Sequence, residues 1–141
     1  MLDEETVWLS PRKRAQVVRL ANAIGVLLSV HPTMPLQLAM TFLAVAADEG
    51  LTVTALATKR GVGTSIMSRH LQDLGSVNRH KKPGLELVIT VQREHGDRRE
   101  YQVFLTEHGT AVLRRMKANC LTGPTWRIIP VAHKDWSSTP E

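Results

Sequence analysis

The sequence has few residues of several kinds, and each shortage excludes a class of protein. Cys120 is the one cysteine among 141 residues, which excludes an intrachain disulfide framework and a multi-cysteine zinc site. Aromatic residues make up 4%, so the core must consist of Leu, Val, Ile, Ala and Met. No apolar run is long enough to span a membrane, and Asp3, Glu4 and Glu5 stand where a secretory signal would carry basic residues. We therefore expect a soluble, cytoplasmic protein.

Motifs that would indicate catalysis are also missing. The six histidines show no paired metal-ligand spacing, and no carboxylate joins them in a recognisable site. The sequence contains no Gly-rich loop followed by Lys, no nucleophile elbow and no dinucleotide fingerprint. We predict that the protein is not an enzyme and uses no cofactor or metal ion. Cys120, with no activating pattern around it, is expected to be a buried hydrophobic residue.

The composition that remains is that of one folded domain with a basic surface. Hydrophobic residues make up 43% and charged residues 22%, which is typical of a globular chain. The formal charge is +5 and the isoelectric point is near 9.9, so long-range attraction favours polyanions, of which nucleic acid is the commonest.

Two helices are predicted in the first third of the chain. Ser10 and Pro11 suit an N-cap and a first helical position, and the helix should run to about Val30. Its apolar residues recur at steps of three and four, which predicts one buried stripe. The stripe comprises Val17, Leu20, Ala21, Ile24, Leu27 and Leu28. A second helix should begin after Pro35 and end near Gly50.

The segment 51–74 has the spacing of a helix-turn-helix. Thr52 can cap a short helix that ends at Lys59, and the glycines of the turn Gly61–Gly63 tolerate positive φ. The next helix should start at about Thr64, where its N-terminus favours phosphate.

This second helix has one apolar and one polar side when its residues are placed at 100° steps. Its inward side consists of Met67, Leu71 and Leu74. The outward side presents Ser65, Arg69 and Gln72, flanked by Ser68, Asp73 and Ile66. Short hydroxyl side chains permit close approach to the major groove, Arg pairs with guanine edges or phosphate, and Gln pairs with adenine. The pattern therefore predicts a DNA-recognition helix.

A β-hairpin is predicted after this helix. Apolar residues alternate with polar ones on two strands, which assigns to the inward face Leu85, Leu87, Ile89, Val91, Tyr101, Val103 and Leu105. Arg93, Arg98 and Arg99 surround the turn and suit contact with a sugar-phosphate backbone or a minor groove. A further helix should start at Thr106–Gly109.

Taken together, these motifs resemble the MarR family of bacterial transcriptional regulators over about residues 36–117. The run Asp97-Arg98-Arg99 followed by Leu105-Thr106-Glu107-His108-Gly109 resembles the family's wing, and 51–57 with 61–69 resembles its helix-turn-helix. The resemblance implies a mainly α fold with a small β-hairpin wing (α+β), the winged helix-turn-helix. It also implies that Asp97 braces Arg99, that Arg99 enters the minor groove, and that Ser65, Ser68 and Arg69 face the major groove.

The chain departs from the family's pattern in two places. The join 75–84 is long and adds Arg79, Lys81 and Lys82, which would either contact phosphates or form a solvated connection. The tail 120–141 contains Gly and Pro residues that disfavour the terminal helix through which the family usually dimerises. Its Trp126 and Trp136 are expected to pack on the body of the protein or across a dimer.

We predict three segments and one function from this reading. Residues 1–10 are expected to be disordered, 11–119 to form the winged helix-turn-helix domain with an N-terminal dimerisation helix, and 120–141 to be an irregular tail. Dimerisation would then rely on residues 11–30 and 107–119. The predicted function is that of a sequence-specific double-stranded DNA-binding transcriptional regulator, acting as a dimeric repressor on a roughly palindromic operator.

Some alternatives stay open at this stage. The same contacts would serve a DNA-binding protein of a mobile element that acts in excision, replication or DNA architecture. A winged-helix module for protein or RNA is disfavoured because Tyr101, an aromatic residue that might stack on bases, is assigned inward. The resemblance also implies a small-molecule effector, for which the sequence offers no pocket residues.

Overall fold

The computed structural model describes residues 10–77, 80–92 and 100–121. In these residues the chain forms five helices and one antiparallel hairpin: α1 (Pro11–Val30), α2 (Leu36–Ala47), α3 (Val53–Arg60), α4 (Thr64–Leu74), β1 (Val88–Gln92), β2 (Tyr101–Leu105) and α5 (Glu107–Leu121). The predicted α+β winged helix-turn-helix is confirmed. Most residues of the segments expected to be disordered or irregular, 1–10 and 120–141, lie outside the described residues, as do Trp126 and Trp136. Cys120 and Leu121, which were assigned to the irregular tail, belong to α5 instead.

The chain divides into two compact units. One consists of Thr33–Leu113, and the other combines the described parts of Met1–Pro32 and Arg114–Glu141, so α5 begins in one and ends in the other. No helix among the described residues is long and apolar enough to cross a membrane.

Helix α1 begins and ends as predicted, but its buried side is not the predicted one. The Ser10 hydroxyl accepts a hydrogen bond from the Lys13 N–H at 3.3 Å, and Pro11 is the first helical residue. The buried residues are Ala23, Val26 and Leu27. Of the predicted stripe only Leu27 belongs to this set, whereas Val17, Leu20 and Ile24 are 51%, 59% and 41% exposed. Helix α1 therefore carries apolar residues on two sides, and one of those sides faces solvent.

The unit Thr33–Leu113 is organised around a small apolar core. Its members come from four helices and the hairpin: Leu38, Ala39, Phe42, Val45, Leu56, Ala57, Met67, Leu71, Leu74, Leu87, Val88, Val103 and Val112. Leu56, Met67 and Leu74 are completely inaccessible to solvent, as predicted for the inward sides of α3 and α4. Removal of this apolar surface from water is the main force that holds the short helices together.

The turn between α3 and α4 depends on one glycine. Helix α3 starts at the Thr52 N-cap, whose hydroxyl accepts a hydrogen bond from the Ala55 N–H at 3.1 Å. Gly61 ends it in the left-handed region with φ +67°, where a side chain would be strained. Gly63 has φ −68° and needs no such freedom, which corrects the expectation that both glycines use it.

The two predicted strands pair as an antiparallel hairpin, but some residues predicted to face inward are exposed. Val88 pairs with Leu105 and Gln92 with Tyr101. Leu87, Val88 and Val103 are buried, whereas Ile89, Val91 and Tyr101 are 51%, 44% and 45% exposed. Thr90 pairs with Val103, so Ile89 and Val91 lie on the face of the hairpin opposite that of Val103, and alternation assigned the wrong face on β1. Tyr101 shares the face of Val103 but lies at the far end of the hairpin, opposite Gln92.

A short segment before α3 extends the sheet. The Gly50 N–H donates to the Val103 carbonyl at 2.8 Å, and the Val103 N–H donates to the Leu51 carbonyl at 3.0 Å. The Leu105 N–H donates to the Glu49 carboxylate at 2.8 Å. The second edge of β2 is thereby satisfied, which connects the wing to the helix-turn-helix.

Candidate nucleic-acid interface

Helix α4 presents a polar surface to solvent, as its sequence predicts. Its inner residues Met67, Leu71 and Leu74 are 0%, 5% and 0% exposed. The side chains on the other side are all exposed: Thr64, Ser65, Ser68, Arg69 and Gln72. We call these five residues the α4 surface. Three hydroxyl groups, one amide and one guanidinium form a surface that can donate to and accept from base edges and phosphate oxygens.

Arg69 is available for an external partner. An alternative reading of its position is an ion pair with Asp73, one helical turn farther on, but the structure shows none. Among the described residues, Arg69 forms no ion pair, whereas Lys59 pairs with Asp48. Its positive charge is therefore not neutralised within this part of the chain.

Ile66 adds an apolar group to the same region. It is 45% exposed and lies with Arg69 at the edge of a cavity of about 260 Å³. An exposed branched aliphatic side chain beside polar ones can contact the methyl group of thymine. The sequence placed Ile66 only at the flank of the outward side, because helical periodicity does not distinguish a half-exposed apolar residue from a buried one.

A hydrogen bond fixes the orientation of α4 against α2. The His70 Nδ1 lies 3.0 Å from the Oγ1 of Thr41, and Thr41 is completely buried. Burial of the imidazole lowers the pKa of His70, the Arg60 guanidinium lowers it further, and the Asp73 carboxylate opposes both. The neutral imidazole is thus the form that the folded structure favours.

The predicted basic loop folds back on the end of α4. Leu85, Glu86 and Leu87 donate their N–H groups to the carbonyls of Asp73, Gly75 and Leu74 at 3.1, 3.0 and 2.8 Å. These bonds satisfy carbonyls that the helix end would otherwise leave unpaired.

The base of this loop is tight, and its lysines point outward. A Cβ on Gly84 would lie 2.1 Å from the Gly75 carbonyl oxygen, so the closure needs a glycine there. Lys81 and Lys82 are exposed, whereas Arg79 lies outside the described residues. The choice between phosphate contact and a solvated connection stays open.

The base of the wing is held by Thr106 and Gly109. The Thr106 hydroxyl accepts from the Gly109 N–H at 2.9 Å and donates to the Glu86 carbonyl. A Cβ on Gly109 would lie 2.0 Å from the Leu87 carbonyl oxygen, so only glycine permits this approach of helix and strand. The sequence shows Thr106–Gly109 as part of a motif, but the contact of Gly109 with Leu87 depends on the tertiary fold.

Arg93, Asp97, Arg98 and Arg99 lie outside the described residues, and their DNA contacts stay predictions. The structure does change the reading of Tyr101, which is half exposed rather than inward. Phe104, which the sequence reading passed over, lies in the same strand, with its ring near Gly50.

The described part of the chain contains no cluster of metal ligands. No group of three or more His, Cys, Asp or Glu side chains there could hold a metal ion. The polar groups of the α4 surface can instead form hydrogen bonds and, at Arg69, a charge interaction with an external partner.

Comparisons with known proteins identify the fold. No protein-family model and no curated protein sequence matches the chain. RV1404 from Mycobacterium tuberculosis matches with a TM-score of 0.61 and 18% identity, over 85% of this chain and 75% of that one. A MarR transcriptional regulator from Methanosarcina mazei Go1 matches with a TM-score of 0.54 and 18% identity, over 89% and 78%.

A third structure agrees with these two. The PcaV transcriptional regulator from Streptomyces coelicolor matches with a TM-score of 0.51 and 21% identity, over 79% of this chain and 75% of that one. At sequence identities this low, the TM-scores establish that the fold is shared, and nothing more. The chain therefore has the winged helix-turn-helix fold of MarR-type transcriptional regulators, which confirms at the level of the fold the resemblance predicted from its sequence.

Proposed function

We propose that the protein is a sequence-specific double-stranded DNA-binding transcriptional regulator that acts as a dimeric repressor. The observation that carries the proposal is the α4 surface, a set of hydrogen-bonding side chains held outward by a fully buried inner side. Phosphate contacts from the basic wing and loop would supply affinity, and the α4 surface would supply sequence choice. A net charge of +5 favours approach to a polyanion.

Dimerisation is part of the proposal because of helix α1. Val17, Leu20 and Ile24 lie on one side of this helix and are about half exposed, while Ala23, Val26 and Leu27 on another side are already buried. A second copy of the chain would cover the exposed side. Two recognition helices related by a two-fold axis would then read two half-sites about one DNA turn apart.

The most informative experiment is selection of bound duplexes from a random pool. It returns the preferred motif, its symmetry and its half-site spacing together. A palindromic motif would support the dimer, and a single half-site would count against it. Failure to prefer any duplex over scrambled DNA at physiological ionic strength would contradict the proposal as a whole.

Two arginines separate sequence choice from overall affinity. Arg69→Ala should lower affinity for the selected duplex by roughly 1–3 kcal/mol, with a smaller effect on random DNA. Arg99→Ala should weaken both duplexes evenly and reduce the slope of the salt dependence by about 1. Mobility shifts over a salt series measure both quantities. Equal small losses on both duplexes for Arg69→Ala would contradict its role.

The exposure of Tyr101 favours one second candidate, an RNA-binding winged helix. Half-exposed aromatic side chains can stack on unpaired bases, and the Tyr101 ring, which alternation assigned inward, is 45% exposed. Competition of the selected duplex by single-stranded RNA decides between them. Displacement by RNA at equal nucleotide concentration would favour the second candidate.

A further inference from the structure

A cavity of about 770 Å³ lies beside the α4 surface. It is formed within the unit Thr33–Leu113 by α3, α4, the turn that follows α4, the two strands and the start of α5. Its volume is within the range of about 300–1,000 Å³ that is usual for small-molecule sites. Two of its lining residues carry apolar groups in contact with solvent: Val77 and Tyr101 are 55% and 45% exposed. The cavity thus offers an apolar surface that a bound molecule would cover.

The charged groups that line the cavity are of one sign. Its described lining contains two carboxylates, Glu86 and Glu107, and neither Lys nor Arg. Neither carboxylate forms an ion pair among the residues that the structure describes. This lining contrasts with the chain as a whole, which carries a formal charge of +5.

Both carboxylates project from backbone that is fixed by hydrogen bonds. The Glu86 N–H donates to the Gly75 carbonyl at 3.0 Å, and the Glu86 carbonyl accepts from the Thr106 hydroxyl. Glu107 is the first residue of α5 and follows the capping residue Thr106 directly. The backbone that carries the two carboxylates is therefore in place before a ligand binds, and only the exposed side chains have to be ordered.

We propose that this cavity binds an organic cation with aromatic or other apolar surface. A cation that leaves water needs compensating negative charge, which Glu86 and Glu107 supply. The ring of Tyr101 offers a cation–π contact, and Val77 covers apolar surface of the ligand. A ligand of the same shape with a negative charge would meet two uncompensated carboxylates, so the site discriminates by charge.

The bound cation also excludes DNA from the α4 surface, and this part rests on the proposed function. Ser68 and Gln72 line the cavity and belong to the α4 surface. A molecule held against them takes the space that a base edge or phosphate would occupy. Because binding free energies are reciprocal, DNA must weaken cation binding by the same factor as the cation weakens DNA binding.

A matched pair of probes tests the charge preference directly. Tetraphenylphosphonium and tetraphenylborate have the same shape and opposite charge. Calorimetric titration of the full chain in sodium buffer without DNA should show one site for the cation and at least tenfold weaker binding of the anion. The net charge of the protein favours the anion, so preference for the cation identifies a local site. Equal binding, or preference for the anion, overturns the proposal.

Three substitutions locate the site. Glu86→Gln and Glu107→Gln should each weaken tetraphenylphosphonium binding by roughly three- to tenfold, since each removes one charge from a half-open cavity. Asp48→Asn removes a carboxylate that does not line the cavity and should leave the affinity unchanged. An equal loss in all three would show a general charge effect and contradict the site.

A fourth substitution remains informative if the glutamine variants prove unstable. Val77→Lys changes an exposed side chain of the lining and places a cation inside the cavity, so it should abolish tetraphenylphosphonium binding. Thermal unfolding shows whether each variant is folded. Undiminished binding in a folded Val77→Lys protein overturns the proposal.

DNA binding is measured apart from the calorimetry, so the cation site and the proposed DNA-binding function can be contradicted independently. Saturating tetraphenylphosphonium should weaken binding of the selected duplex by at least tenfold in the wild type and much less in Glu86→Gln. Cation binding with unchanged DNA affinity would overturn the exclusion but not the site. If selection yields no duplex, the proposed function fails, and calorimetry still decides the cavity.

Discussion

Helices α1 and α4 both carry apolar residues at helical spacing, but their apolar stripes have different environments. In α4, Met67, Leu71 and Leu74 are buried by the unit that contains them. In α1, the predicted stripe is largely exposed, with Leu20 at 59%. The same sequence pattern therefore marks the inner side of a complete recognition element in one helix, and a surface that a single chain leaves uncovered in the other.

The difference shows what each helix needs in order to function. A recognition helix must hold its polar side outward in a fixed orientation, which requires a fully packed inner side. An association helix must keep apolar surface available for a partner, and exposed apolar residues on one side indicate that use.

The largest effect is expected from truncation of the buried stripe. Leu74→Ala removes a side chain with no solvent exposure and should lower the free energy of unfolding by about 3 kcal/mol. Ile66→Ala, on the same helix at 45% exposure, should cost less than about 1 kcal/mol. Urea unfolding measures both values. Equal losses would mean that α4 is not packed on one side only.

The exposed stripe should govern association instead. Leu20→Glu places a carboxylate where a second copy would pack and should raise the dimer dissociation constant roughly hundredfold, which is about 2.7 kcal/mol. Arg19→Glu introduces the same group about 100° away on an exposed position and should leave the dimer intact. Sedimentation equilibrium distinguishes the two. A wild-type monomer, or a dimer in both variants, would refute the assignment of the stripe.

Sequence reasoning succeeded where local chemistry decides the structure. Ser10 and Thr52 form the predicted caps, because capping needs only a side-chain oxygen two or three residues before an N–H. The inner side of α4 was also predicted correctly, since Met67, Leu71 and Leu74 cluster on one side of the helix at 100° steps. These features would be expected from the same residues in most folds.

Sequence reasoning failed where residues far apart in the chain determine the structure. Alternation assigned Ile89 and Val91 inward, but a period of two gives two faces and does not say which of them the core covers. The register with β2 places both residues on the face opposite that of the buried Val103. The second edge of β2 pairs with Gly50 and Leu51, which are about fifty residues away in the chain. The cavity beside α4 likewise brings together residues from five elements, so no single motif could reveal it.

Two helical glycines sharpen the comparison, with opposite signs. Gly109→Ala should cost about 2 kcal/mol, because its Cβ would lie 2.0 Å from the Leu87 carbonyl oxygen. Gly25→Ala, in the interior of α1, should stabilise by about 0.5–1 kcal/mol, because no atom lies within 4 Å of its Cβ. Thermal unfolding of both variants tests this. Destabilisation by Gly25→Ala would mean that a partner in solution approaches α1 at this point.

The smallest effect concerns the hydrogen bond between α4 and α2. Because burial and Arg60 lower the pKa of His70 in the folded state, the unfolded chain takes up the proton first as the pH falls. The contribution of His70 to the free energy of unfolding is therefore fully present above the ordinary histidine pKa of about 6.5. It declines as the pH falls from there toward the lowered pKa of the folded state. His70→Gln can still hydrogen-bond to Thr41 but does not titrate, so its unfolding free energy should vary less with pH across this range. Urea unfolding between pH 5 and 8 provides the measurement, with an NMR titration of the wild-type imidazole beside it. An unchanged pH dependence of the unfolding free energy in His70→Gln would show that His70 does not link stability to pH.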